Sequence, residues 1–275
     1  MPEATFALTV GDAVTRSTQL LTEAGCDTPR LDVELLLADV LGVDRARLVL
    51  DRDQVLDADE LARLGGVVCR RCTREPVAYI LGRKAFRRIE LKVDPRVLIP
   101  RPETELLVEV GLSFEAGARV VDVGTGSGAV ALALKDERPD LNMWATDVDA
   151  DALEVARGNA ERLGLDVQFV QGDMLDGVGG PCDAVLANLP YVEEGVALEA
   201  EISSYEPPGA LFAGPDGLAV IRRLVGMLSG VPLVALEVGE GQATAVSELL
   251  RGSGFLEIEI LRDLADHERV VVGRR

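Results

Sequence analysis

Apolar residues recur at helical spacing through residues 1–80. Asp12–Ala24 carries the pattern and stops at Gly25. Thr28-Pro29 marks a helix start, because the missing N–H of proline costs nothing in a first turn. Leu31, Val33, Leu35, Leu36, Ala38, Val40 and Leu41 follow before Gly42 ends the run. Arg45–Leu50 and Asp59–Thr73 continue it. With no glycine-rich loop or catalytic cluster here, residues 1–80 are expected to form a small helical domain for substrate recognition.

The period changes near Glu75. Phe86, Ile89, Leu91 and Val93 alternate over Phe86–Val93, Asp94-Pro95 is a turn, and Val97–Ile99 is a second short strand. That pattern predicts a linking β-hairpin within 81–102. Pro100-Arg101-Pro102 is a stiff connection to a helix over Glu103–Gly111. From Arg119 strands alternate with amphipathic helices. The strands are Arg119–Val123, Met143–Thr146, Val167–Val170, Asp183–Ala187 and Leu233–Val238; the helices are Ala129–Lys135, Ala150–Leu163, Leu218–Leu228 and Gln242–Leu250. Short apolar strands separated by such helices predict a mostly parallel sheet covered on both faces. Glu257–Leu261 and Arg269–Val272 lie close together without a helix, so the sheet should close with an antiparallel last strand. The expected architecture is α/β, with a Rossmann-like sheet over 103–275.

Composition narrows the function. The 275 residues are 48% hydrophobic, ample for a core, and the formal net charge is −19. Such acidity argues against a nucleic-acid binder and suits a basic protein partner. Cys69-Arg70-Arg71-Cys72 is a C-x-x-C, but neither a second ligand pair nor a thioredoxin-like strand accompanies it, so two helix thiols are the expectation. His267, the only histidine, reads as structural and no metal site is expected. Trp144 reads as core. The start of the chain shows no basic-then-apolar leader and no apolar run approaches ~20 residues, so neither export nor membrane insertion is expected and the cytoplasm is the expected compartment.

The strongest local signal is Val120-Val121-Asp122-Val123-Gly124-Thr125-Gly126-Ser127-Gly128. A buried strand ends in a loop with glycine at every second position, and a helix follows. Ligands of open α/β sheets sit at this end of the strands, and glycine lets them approach the main chain. The second strand ends at Asp147, where a carboxylate can accept from two ribose hydroxyls. The third ends at Gly172-Asp173-Met174; Asp173 can accept from an adenine amine, and Met174 offers an apolar surface beside the ring. Adenosylmethionine and NAD both fit this loop, because Gly124-x-Gly126-x-x-Ala129 also matches the dinucleotide fingerprint.

The fourth strand separates them. It runs into Asn188-Leu189-Pro190-Tyr191. A planar nitrogen nucleophile has a delocalised lone pair, and its hydrogens must be held by acceptors before it can attack a methyl sulfonium. The Asn188 side-chain carbonyl and the Leu189 main-chain carbonyl can each accept one N–H. Pro190 keeps Leu189 extended, and Tyr191 can stack on a flat substrate group. The catalysis implied is orientation and electrostatics. A plain surface turn competes for an isolated N-x-P-Y, but not at this place in the sheet.

These motifs resemble the release-factor glutamine methyltransferase family (PrmC/HemK). The likeness covers nearly the whole chain and is weakest over the N-terminal helices. It includes Glu75–Gly82, Phe86, Leu98-Ile99-Pro100-Arg101-Pro102-Glu103-Thr104-Glu105, Tyr205-Glu206-Pro207, Asp216-Gly217-Leu218, Asp263 and Glu268-Arg269-Val270. The resemblance implies a class I methyltransferase sheet, S-adenosylmethionine as cofactor, and methylation of the glutamine side-chain nitrogen in the Gly-Gly-Gln loop of peptide chain release factors. It implies cofactor contacts at Gly124, Thr125, Gly126, Ser127, Gly128, Asp147, Met174 and Asn188. It implies that Asn188, Leu189, Pro190 and Tyr191 hold the substrate glutamine. Arg101 and Glu103 are expected near the pocket mouth, with an ordinary surface ion pair as the competing reading. Two departures stand out. The family usually has proline where this chain has Leu189, and often an aromatic residue where it has Met174; activity is expected to survive in a slightly altered pocket. A monomer acting on a protein, without direct nucleic-acid contact, is expected. The alternatives are a ribosomal-protein glutamine or a nucleic-acid amine as substrate, a fold that binds without turnover, and an NAD oxidoreductase, which leaves Asn188–Tyr191 without a role.

Overall fold

Helix boundaries in the N-terminal region are set by side chains that satisfy otherwise unpaired backbone groups. The structure is a computed structural model and describes residues 8–275; those parts of the leader and domain readings that fall on residues 1–7 lie outside the described residues. Thr9 and Asp12 form a capping box at the start of α1 (Val10–Glu23), and Asp57 and Glu60 form another at α4 (Ala58–Cys72). Pro29 opens α2 (Pro29–Leu41), and Gly42, left-handed at φ 65°, closes it. α3 (Arg45–Leu50) and α5 (Val77–Leu81) are short.

Among the described residues, 8–82 together with Glu199–Tyr205 form one compact unit, and Arg83–Leu198 with Glu206–Arg275 form a second. In the first, α1, α2 and α4 pack around Val10, Leu21, Val33, Leu37, Leu64 and Val68. A buried ion network joins the Glu199–Tyr205 segment to this bundle. Arg71 Nε donates to Asp32 Oδ2 at 2.8 Å and Arg71 Nη2 to Glu201 Oε1 at 2.9 Å, while Arg74 makes two bonds of 2.6 Å to the Glu201 carboxylate. The Arg74 and Arg71 side chains hold the Glu201 carboxyl down at about 2, against the upward push of its own burial. Charges this buried persist only when paired.

The second unit begins with a hairpin, β1 (Arg83–Phe86) against β2 (Ile89–Lys92). This corrects the strand assignment made from alternation. The chain reverses at Arg87-Arg88, with Arg87 at φ 49°, and Val97–Ile99 is not a strand. Asp94 and Pro95 do form a turn, with Val97 N donating to Asp94 O. Beyond it the backbone is held by a side chain, because Ile99 N donates to Glu206 Oε2 at 3.2 Å. The expected helix at Glu103 begins instead as a 3-10 turn over Pro102–Thr104 and becomes α6 at Glu105–Leu112.

The remaining elements are β3 (Arg119–Val123), α7 (Ala129–Glu137), β4 (Asn142–Asp147), α8 (Ala150–Leu163), β5 (Gln168–Gln171), β6 (Ala184–Ala187), α9 (Ala200–Tyr205), α10 (Ala219–Met227), β7 (Leu233–Glu237), α11 (Ala243–Gly252), β8 (Glu257–Arg262) and β9 (Glu268–Arg274). Seven strands form one sheet in the order β5-β4-β3-β6-β7-β9-β8. The first five are parallel, and β9 is antiparallel to both neighbours. All four residues of β6 and the last four of β3 are buried, as strands covered on both faces require. The chain winds outward from β3 to β5, then returns to β6 on the other side of β3. The carboxyl ends of β3 and β6 therefore flank the topological switch point, where such sheets bind ligands. Among the described residues, no helix is long and apolar enough to cross a membrane.

Candidate active site

A cleft of about 570 Å³ opens at this switch point, within the size range of small-molecule sites. Its floor is the loop after β3. Gly124, Gly126 and Gly128 all have positive φ, at 72°, 55° and 85°. A Cβ on Gly124 would lie 3.0 Å from Leu189 Cδ2, so the glycine accommodates the leucine from the neighbouring strand tip. The loop is pinned from below. Asp122 Oδ2 accepts from Thr125 Oγ1 at 2.6 Å and from Ala131 N at 3.2 Å. Burial pushes this carboxyl up to about 6. Asn159, fully buried on α8, donates to Ser127 O at 3.0 Å and exchanges two bonds with the Lys92 backbone. One side chain thus ties the hairpin end to the glycine loop.

Asp147 ends β4 and lines the cleft. Its oxygens accept from Gly126 N at 2.9 Å and Asp149 N at 3.0 Å. A carboxylate has about four lone-pair sites, so two remain for hydroxyls of a bound ribose. Burial raises its pKa. Met174 also lines the cleft and sits in the left-handed region at φ 58°, unusual for a residue with a side chain. Thr146 Oγ1 donates to Met174 O at 2.7 Å and holds that conformation. Asp173 lines the cleft too, and its carboxylate is paired with Arg223. Open space lies over Gly126. A glycine floor, a ribose-ready carboxylate and an apolar wall at Met174 fit an adenosine-bearing cofactor.

Asn188, Leu189 and Pro190 form the opposite wall. Asn188 Nδ2 donates to Thr104 Oγ1 at 3.0 Å. Its amide nitrogen is thereby turned into the protein, and its oxygen is left for the cleft. Tyr191 does not line the cleft. It packs behind the strand tip, where its hydroxyl lies 3.4 Å from Glu237 Oε1. Burial, with the adjacent Glu237 carboxylate, pushes the phenol up to about 12. The turn is locked from outside: Gln242 Nε2 donates to Tyr191 O at 3.0 Å while Gln242 Oε1 accepts from Gly239 N at 2.9 Å.

Arg101 and Glu103 precede Thr104 in sequence but do not line the cleft. Arg101 is paired with Glu206, which is buried and also receives Ile99 N. The IPRPETE and YEP segments therefore meet through one carboxylate. Glu103 lies near enough to Glu237 and Arg269 to act on both electrostatically. Sequence reasoning passed over Thr104, Asn159, Gln242 and Glu237 as site residues. Only Glu237 left a signal in the pattern: a carboxylate at the end of the otherwise apolar run Leu233–Leu236. Trp144 packs on the core with the Arg119 guanidinium over its ring at 4.3 Å. Cys69 and Cys72 are free thiols on α4. Among the described residues no cluster of three or more His, Cys, Asp or Glu is arranged to hold a metal.

Residues 12–82 match the PrmC N-terminal domain family, and residues 102–204 match the methyltransferase small domain family. A release factor glutamine methyltransferase of Rhodospirillum rubrum is 39% identical, over 98% of this chain and 86% of the relative. One from Caulobacter vibrioides is 40% identical, over 98% of this chain and 97% of the relative. Among solved structures, a methyltransferase from Pyrococcus furiosus superposes with a TM-score of 0.51 at 18% identity, covering 67% of this chain and 87% of that one; it shares the fold. The sheet order, the cleft at its switch point and full-length identity near 40% agree: the chain belongs to the release factor glutamine methyltransferase family.

Proposed function

We propose that this protein transfers a methyl group from S-adenosylmethionine to the side-chain nitrogen of the glutamine in the Gly-Gly-Gln loop of peptide chain release factors, leaving S-adenosylhomocysteine. The observation that carries this reading is the orientation of Asn188. Its nitrogen is committed to Thr104 at 3.0 Å, so the face it offers the cleft is an acceptor. A carboxamide substrate needs an acceptor there, and a substrate presenting only lone pairs would be repelled.

In this reading Gly124–Gly128, Asp147, Asp173, Met174 and Asn188 hold the cofactor, which supplies an electrophilic methyl when bound. Asn188 Oδ1 and the Leu189 carbonyl each take one hydrogen of the substrate amide. Both acceptors sit on a strand tip stiffened by Pro190 and clamped by Gln242, so little reorganisation is needed at the moment of reaction. Leu189 keeps the main-chain carbonyl that proline would supply, and its side chain is buried against Gly124. Residues 1–80 would recognise the release factor. The net charge of −19 favours a basic protein surface over nucleic acid. A monomeric enzyme in the cytoplasm, where release factors act, completes the proposal.

The test is to incubate the enzyme with labelled cofactor and, in parallel, a release factor, ribosomal proteins and RNA. Label in the release factor supports the reading. Label only in a ribosomal protein or in RNA overturns it.

A further inference from the structure

We propose that the β1–β2 hairpin is a brace for the cofactor site as well as a link, and that Asn159 is the positioning residue through which it holds the glycine loop. The inference rests on the adenosylmethionine site proposed above and names what keeps that site in shape.

The hairpin lies against α7 and α8, the two helices whose amino ends follow the glycine loop and Asp147 in sequence. At its turn Arg87 Nη2 donates to Glu137 Oε2 at 3.0 Å, at the end of α7, and Arg87 N donates to Glu105 Oε1 at 3.1 Å. On β2, Glu90 O accepts from Arg162 of α8. Asn159, one turn earlier on α8, carries the brace to the loop. Its Oδ1 accepts from Lys92 N at 2.7 Å, and its Nδ2 donates to Lys92 O and to Ser127 O, each at 3.0 Å. Both N–H bonds of the amide are used. The carboxamide has one possible orientation, because reversal would set Oδ1 against the Ser127 carbonyl and Nδ2 against the Lys92 N–H.

The Ser127 carbonyl belongs to the peptide unit that ends the loop. A peptide unit is planar, so a bond to Ser127 O also sets the direction of the Gly128 N–H, which donates to Thr125 O at 2.9 Å. The unit is thus held at both ends. It needs holding, because Gly128 caps α7 at φ 85° and glycine has little stiffness of its own. The approach of α8 is close: a Cβ on Gly128 would lie 3.4 Å from Ala156 Cβ, and Ala156 and Asn159, three residues apart, share that face of the helix. Asn159 is fully buried and Ser127 is buried beside it. Burying a carboxamide costs free energy unless its groups are paired. Anchoring the hairpin alone would take only the two bonds to Lys92; the third goes to the loop.

Calorimetric affinity for adenosylmethionine and hydrogen exchange of the Gly128 amide in the cofactor-free protein test the brace. Asn159→Leu keeps the branched shape and removes all three bonds. Asn159→Asp keeps the acceptor for Lys92 N and removes the donor to Ser127 O; it carries the test if the leucine variant does not fold. In both, Gly128 should exchange faster and the cofactor Kd should rise about 10-fold, as when the loop holds its binding shape only about a tenth of the time. The KM for a Gly-Gly-Gln peptide at saturating cofactor should stay within about 3-fold of the parent. Val246→Ala is the control for lost stability alone, since Val246 is fully buried on α11 and does not line the cleft; its cofactor Kd should stay within about 2-fold of the parent. Asn159 variants with parental cofactor affinity, or with the parental rate of Gly128 exchange, would overturn the inference. So would an equal loss of affinity in Val246→Ala. A raised peptide KM with unchanged cofactor affinity would leave the hairpin a link only and overturn it as well. A parent protein that binds no adenosylmethionine rejects the proposed cofactor instead, and the exchange measurement still decides the brace.

Discussion

Replacing Glu237 by methionine should stabilise the protein, by an amount that grows with pH. Burial first, and then the neighbouring Glu103 carboxylate, push Glu237 up to about 7 from 4.5, while Thr104, Tyr191 and Arg269 pull it down. For an acid raised in the folded state, the folded protein holds a proton that the unfolded chain has released. Its contribution to stability is complete below the unfolded value and is lost as pH rises through the folded one. The loss is roughly 2.5 units at 1.4 kcal/mol each, or about 3–4 kcal/mol. Asp122, pushed up to about 6, behaves with the same sign but is common to both proteins and cancels in the comparison. Urea denaturation of parent and variant at about pH 5 and about pH 8 measures the difference. The variant's advantage should be small at the lower pH and approach about 3–4 kcal/mol at the higher. A difference independent of pH, or one that shrinks as pH rises, would refute the reasoning.

Three further outcomes follow from the geometry. Asp147→Ala removes the acceptor assigned to the ribose hydroxyls and should weaken adenosylmethionine binding about 10- to 100-fold by calorimetry; unchanged affinity would discount that assignment. Gly217 has φ 69°, and a Cβ there would sit 2.2 Å from Tyr191 O, so Gly217→Ala should displace the strand tip. That shift should lower turnover more than cofactor affinity in a comparison of initial rates with calorimetric binding. Arg71→Ala leaves Asp32 buried and unpaired and should cost about 3–5 kcal/mol in denaturant unfolding; a loss below about 1 kcal/mol would contradict the account of the buried network.

The sheet was legible because parallel strands buried on both faces are nearly continuous apolar runs, as in Val120–Val123 and Ala184–Ala187. The hairpin was legible as an element within 81–102 but not in its strand limits, because its reversal falls on Arg87-Arg88, residues that do not announce a turn, and Arg87 takes its left-handed φ of 49° without glycine. Val97–Ile99 looked like a strand because it is apolar, yet the Ile99 N–H is taken by the side chain of Glu206, distant in sequence. The same contrast divides the site. The glycine loop and Asn188–Tyr191 are contiguous, so composition and place in the sheet revealed them. Thr104 meets Asn188 through tertiary packing, and Glu237 comes level with it through the register of β6 with β7, neither of which any local pattern encodes. Tyr191 was legible as a residue but not in position: it lies behind the cleft, against Glu237.

The central claim is that an acceptor at Asn188 holds a glutamine carboxamide for methylation. Its most direct test is tandem mass spectrometry of a release factor's Gly-Gly-Gln peptide after reaction with the parent enzyme and with Asn188→Ala. The account predicts one added methyl group on the glutamine side-chain nitrogen with the parent, and a loss of about 100-fold or more in its rate of formation with Asn188→Ala, while cofactor affinity changes far less. A methyl group found on another residue, or undiminished methylation by Asn188→Ala, would contradict it.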